Sequence, residues 1–185
     1  MNKLLRLAIV GLVAAIGFTA CAGSGAKQKK EEKTVQKLSD DSLLTLIQHQ
    51  TFQYFWDGAE PNSGMACERI HTDGNYPEND QRVVTSGGSG FGVMSILVGM
   101  ERGFITREAG VERLAKIASF LEKADRFHGA WPHWLHGETG KVKPFGGKDN
   151  GGDIVETAYL VQGLICVKNY LKQDVPAEKA LADKI

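Results

Sequence analysis

The chain has 185 residues, of which 42% are hydrophobic and 24% charged, and its 22 basic residues are balanced by 22 acidic ones. That length suits about one domain, and the composition is that of an ordinary globular protein. A formal net charge of zero gives no electrostatic reason to expect nucleic acid as a partner.

The N-terminus reads as a targeting segment. Lys3 and Arg6 make a basic start, and the apolar stretch from Leu7 to Phe18 is shorter than the roughly 20 residues that span a bilayer. It fits the apolar region of a secretory signal. Phe18-Thr19-Ala20-Cys21 follows and resembles a bacterial lipobox, although phenylalanine stands where leucine is usual. The resemblance implies cleavage before Cys21 and lipidation of its thiol. Residues 1–20 are then a signal peptide, and the mature protein is an exported, outer-membrane-attached lipoprotein, periplasmic or at the cell surface. Residues 21–38, rich in Gly, Ser, Lys and Glu, have little to bury and read as a flexible tether. Residues 39–185 hold the folded domain.

The first helix is expected from Ser39, as N-cap ahead of Asp40 and Asp41, to about Trp56, with apolar residues at helical spacing. Residues 58–88 carry Gly, Pro, Asn and Asp throughout and read as one long loop. A second helix, from about Gly90 to Arg102, is apolar on nearly all sides, as a buried helix is; Gly103 stops it. Thr106 caps a third, amphipathic helix. Residues 126–151 form a second long loop, a fourth helix covers about Gly152 to Leu171, and a fifth starts near Pro176. Long and short connections alternate, so in antiparallel helices both long loops fall at one end. That is the layout of an all-α toroid whose loop-rich end holds the site.

Of the three cysteines, Cys67 and Cys166 remain once Cys21 is lipidated; Cys166 sits in an apolar helical pattern that favours a buried free thiol. No His, Cys, Asp and Glu spacing indicates a metal site, and no motif calls for a cofactor. The run Thr85-Ser-Gly-Gly-Ser-Gly90 lacks the Lys-Ser/Thr and the preceding strand of a phosphate-binding loop. Its glycines read instead as places where backbone passes close to another element or a substrate.

Asp149, Asp153 and Glu156 are the strongest candidates for chemistry. Asp153 and Glu156 lie three apart at the start of the fourth helix and share a face; Asp149 stands just before it. A helix N-terminus favours ionised carboxylates, which suits a base that activates water or a nucleophile. The bland alternative is an N-cap aspartate with ordinary first-turn acids. Upstream, Phe127-His-Gly-Ala-Trp131-Pro-His133-Trp134 offers flat aromatic faces beside polar donors, as sugar binding requires. Trp131 could equally pin the loop to the core. In the first long loop Glu68-Arg69 could meet sugar hydroxyls or form a surface ion pair.

Segments 52–69, 83–110, 120–145 and 149–164, among them FQYFWDGAEPNSGMACER and DNGGDIVETAYLVQGL, closely resemble the glucoamylase-like lipoproteins of glycoside hydrolase family 144. The resemblance implies an (α/α)6 barrel, of which residues 39–185 hold the first four to five helices. It further implies an inverting hydrolase of β-1,2-glucan, either an endo-glucanase or a sophorose-releasing enzyme. The family's acidic trio falls on Asp149, Asp153 and Glu156, with Asp153 nearest the water-activating role. Glu68, Arg69, Trp131, His133, Trp134 and Phe145 are the expected substrate contacts. The family's general acid lies on a later helix, beyond this segment. The chain alone is accordingly expected to be inactive and the full-length protein monomeric. A non-catalytic glycan-binding lipoprotein and a helical interaction protein are the competing readings.

Overall fold

The computed structural model describes residues 37–144 and 146–185. Five helices appear in the expected order: α1 (Asp40–Trp56), α2 (Ser86–Glu101), α3 (Arg107–Lys123), α4 (Ile154–Tyr170) and α5 (Pro176–Lys184). Two three-residue strands, β1 (Val83–Thr85) and β2 (Trp134–His136), lie within the two long loops.

Local signals set most of the boundaries. The Ser39 hydroxyl accepts the Ser42 N–H and the Thr106 hydroxyl accepts the Ala109 N–H, so α1 and α3 start at side-chain caps. Gly103, at φ +68°, turns the chain out of α2 in the left-handed region. The second helix begins at Ser86, four residues before the position expected from the sequence. The glycine-rich run is therefore helical rather than loop. Tertiary packing overrides the helix cost of its glycines: α2 makes its most extensive contact with α4, and this needs side chains as small as hydrogen.

The core is built from Val93 and Ile96 of α2, Leu114, Ile117 and Leu121 of α3, Leu160 and Val167 of α4, and Leu181 of α5. Burying each such side chain contributes about 1.5–3 kcal/mol. Met65, Val84 and Leu135 join this core from the long loops. β1 and β2 pair antiparallel, with Val84 opposite Leu135 and Thr85 opposite Trp134. The two long loops thus meet, as the alternating connection lengths require. Arg107 on α3 ties in α5 through a two-pronged pair with Glu178, at 2.8 and 2.7 Å.

Several apolar side chains face outward. Leu44 and Ile47 on α1, Phe91 on α2 and Ile154 on α4 are each more than half exposed, so the all-apolar second helix is not buried on every side. Both Cys67 and Cys166 are free, but it is Cys67 that is buried and Cys166 that is half-buried. Burial pushes the Cys67 thiol up, above its ordinary range.

Candidate active site

The site is assembled by α2, α4 and the segment 131–134. Asp153 is the N-cap of α4 and not a first-turn residue: its Oδ1 accepts the N–H groups of Val155 (2.9 Å) and Glu156 (3.0 Å). The capping reading of this aspartate holds, and capping occupies one carboxylate oxygen. The other, Oδ2, lies 3.6 Å from Nδ1 of His133. Glu156, one turn along, sends Oε2 across to α2, where it accepts the Gly87 N–H at 2.9 Å and the Thr85 hydroxyl at 3.3 Å. Asp149 stands exposed in a tight turn, its N–H donating to the Gly146 carbonyl at 3.1 Å. The structure therefore joins Asp153 and Glu156 around one helix start and places Asp149 on the loop that leads into it.

Beside this cluster lies an open cleft of about 370 Å³, lined by Glu68, Arg69, Glu78, Asp80, Val83, Trp134, Lys143 and Pro144. The β1–β2 ribbon connects the two: Trp134 lines the cleft, and its strand partner Thr85 holds Glu156. Glu68 and Arg69 form a two-pronged ion pair on the cleft wall, so the surface pair and the candidate ligand contact are the same feature. Asp80 Oδ2 backs Arg69 at 3.5 Å and His71 Nε2 at 3.4 Å.

The two tryptophans part company. Trp131 packs against the core, its indole N–H donates to the Leu121 carbonyl at 3.3 Å, and Arg126 lies over its ring. Trp134 is half-buried in the cleft wall, in edge contact with the His133 ring. Phe145 and Cys21 lie outside the described residues. Among the described residues no group of three or more His, Cys, Asp and Glu side chains is gathered as metal ligands.

The loop geometry rests on a residue that the sequence did not single out for a role. Glu60 is fully buried, and its carboxylate accepts the N–H groups of Asn62 (3.0 Å) and Ser63 (2.7 Å), the Asn62 amide (2.8 Å) and the Ser63 hydroxyl (2.8 Å). Burial alone would raise its pKa, but these donors outweigh burial and hold the carboxyl below the usual range. The sequence signal was Glu-Pro-Asn-Ser itself, an acid followed by turn residues that place N–H groups two and three positions on.

No family model matches the chain. It is 51% identical over 153 residues to an exo-β-1,2-glucooligosaccharide sophorohydrolase (non-reducing end) from Parabacteroides distasonis, covering 82% of this chain and 20% of that protein. Among solved structures it superposes on an endo-β-1,2-glucanase from Chitinophaga pinensis, in complex with sophorotriose and glucose, with a TM-score of 0.78 and 71% identity. That match covers 80% of this chain and 35% of the other. A β-1,2-glucanase from Parabacteroides distasonis gives a TM-score of 0.74 at 49% identity, over 80% and 20% of the two chains. Homologues of this chain are thus β-1,2-glucanases and sophorohydrolases with the glucoamylase-like (α/α)6 fold, and it spans about a fifth to a third of their length.

Proposed function

We propose that this chain supplies the water-activating side of an inverting β-1,2-glucan hydrolase. The observation that carries the reading is the pairing of a capped, half-committed carboxylate, Asp153, with His133 at 3.6 Å, next to a polar cleft walled by Trp134. Capping fixes Asp153 in one rotamer and leaves Oδ2 to accept a proton from water. The hydroxide so generated attacks the anomeric carbon on the face opposite the leaving oxygen, and an acid across the bond protonates that oxygen. That acid belongs to a part of the protein outside residues 39–185. Trp134 offers an apolar ring face for a glucosyl unit, while Glu68, Arg69 and Lys143 line the cleft where its hydroxyls would lie. The homologues named above support β-1,2-glucan as the substrate.

We further propose that the domain sits on a tether behind a lipidated Cys21, exported and held at the outer membrane. Its support is the basic, apolar and small-residue pattern that ends at Cys21. The intact mass of membrane-extracted protein tests it: a diacylglyceryl adduct on an N-terminal Cys21 is expected, and an unmodified cysteine there overturns it.

The activity is tested by incubating the full-length protein and its Asp153→Asn variant with β-1,2-glucan, and with β-1,3- and α-1,4-glucans as controls. Sugar release from β-1,2-glucan alone, lost in the variant, is expected. Binding without release by the unaltered protein would favour a non-catalytic glycan-binding role.

A further inference from the structure

We infer that the junction of β1 and α2, Thr85-Ser86-Gly87, is the positioning element of the acid cluster, with Thr85 and Gly87 the positioning residues for Glu156. The inference rests on the hydrolase reading and names residues that the reading does not itself require.

The glycine-rich run at 85–90 has no phosphate-binding character, yet its first three residues each face the candidate site. Ser86 is fully buried; its N–H donates to the His133 carbonyl at 3.0 Å and its hydroxyl to the Pro132 carbonyl at 2.6 Å. From the other side, the Asp153 N–H donates to the Trp131 carbonyl at 2.8 Å, and the Thr157 hydroxyl meets both the N–H and the carbonyl of Trp131. Segment 131–133 is therefore held by α2 on one side and by α4 on the other. His133, within that segment, and Asp153, at the start of α4, approach each other at this junction.

Gly87 and Thr85 close it. Oε2 of Glu156 lies where a side chain on residue 87 would begin: a Cβ there would stand 2.3 Å from that oxygen. Glycine is thus what lets the carboxylate reach the backbone N–H at the positive end of a 16-residue helix. The Thr85 hydroxyl fixes the second direction of approach. Its methyl lies against Gly88, where a Cβ would meet Cγ2 at 2.5 Å, and its hydroxyl points to Glu156. A carboxylate held by two converging donors keeps its orientation through the reaction without reorganisation.

The experiment measures kcat and KM on β-1,2-glucan for the full-length protein and its Thr85→Val, Thr85→Ser and Gly87→Ala variants, with a thermal melt of each. Thr85→Val keeps the shape of the side chain and the β-branch but removes the donor. It is expected to lower kcat about tenfold at nearly unchanged KM. Thr85→Ser, which restores the hydroxyl, should recover most of that loss. Gly87→Ala should cost about a hundredfold or more in kcat. Wild-type kcat in both Thr85→Val and Gly87→Ala would overturn the inference while leaving the hydrolase reading intact. So would equal losses in Thr85→Val and Thr85→Ser that track the melting temperature. Unaltered protein that releases no sugar would overturn both.

Discussion

Gly90 of α2 and Gly163 of α4 meet backbone to backbone: a Cβ on Gly163 would lie 2.3 Å from the Gly90 carbonyl oxygen, and one on Gly90 would lie 2.3 Å from the Tyr159 carbonyl oxygen. This contact sets how near the two helices carrying Thr85–Gly87 and Asp153–Glu156 can come. Because the obstacle is backbone rather than a flexible side chain, a larger residue fits only if the helices move apart. Gly163→Ala is expected to destabilise the protein by about 1–3 kcal/mol and to lower activity by parting Glu156 from Gly87. Chemical denaturation together with kcat checks it; an unchanged midpoint would mean that the helices are not held at this distance.

The double role of Asp153 predicts a split between stability and catalysis. Asparagine caps a helix about as well as aspartate, whereas alanine costs about 1 kcal/mol. Asp153→Asn should therefore melt like the unaltered protein yet lose hydrolysis, and Asp153→Ala should lose both. Thermal melts read beside activity on β-1,2-glucan distinguish the two variants.

Glu60 makes stability depend on pH in a defined direction. Its folded pKa is held below the usual glutamate value of 4.5 by donors from Ser63 and Asn62. A depressed carboxyl stabilises the fold fully above the unfolded value, and that contribution fades as pH falls through the lower folded value. Glu60→Gln, which places an amide N–H₂ against donors, should cost about 1–3 kcal/mol at neutral pH. The gap between the two proteins should shrink as pH drops below 4.5. Urea titrations of both proteins over that range provide the measurement.

Trp134 and Trp131 should respond differently to substitution. Trp134→Ala removes the ring from the cleft wall and is expected to weaken β-glucan binding about tenfold or more with little change in melting temperature. Trp131→Phe removes the N–H donated to Leu121 and should cost about 1 kcal/mol of stability while leaving binding unchanged. Calorimetric titration with sophorooligosaccharides, alongside melts, separates them.

The contrast between these tryptophans shows where the sequence stops being informative. The caps at Ser39 and Thr106 were legible because a hydroxyl and the N–H three residues on form a local unit. The acidic cluster was legible because its spacing puts Asp153 and Glu156 at one helix start. The beginning of α2 was not: Ser86, Gly87 and Gly88 have poor helix propensity, and what makes them helical is α4, seventy residues away in the chain at Glu156. The pairing of Thr85 with Trp134 was likewise hidden, since two three-residue strands in glycine-rich loops carry no periodicity. Trp134 sits on that ribbon, whereas Trp131 is turned inward by its bonds to Leu121 and Thr157. Glu60 carried a local turn signal in Glu-Pro-Asn-Ser, whereas the buried Asp80 was indistinguishable from a surface acid until the loop closed around it.

The stereochemistry of the first product tests the central claim most directly. Proton NMR can follow fresh digestion of β-1,2-glucan by the full-length protein, before the reducing-end anomers equilibrate. If Asp153 activates water, the first reducing end released has the α-configuration, and Asp153→Asn releases none. A β-configured first product would mean a covalent intermediate and retention. Undiminished release by Asp153→Asn would remove this carboxylate from the reaction, and either result would contradict the account.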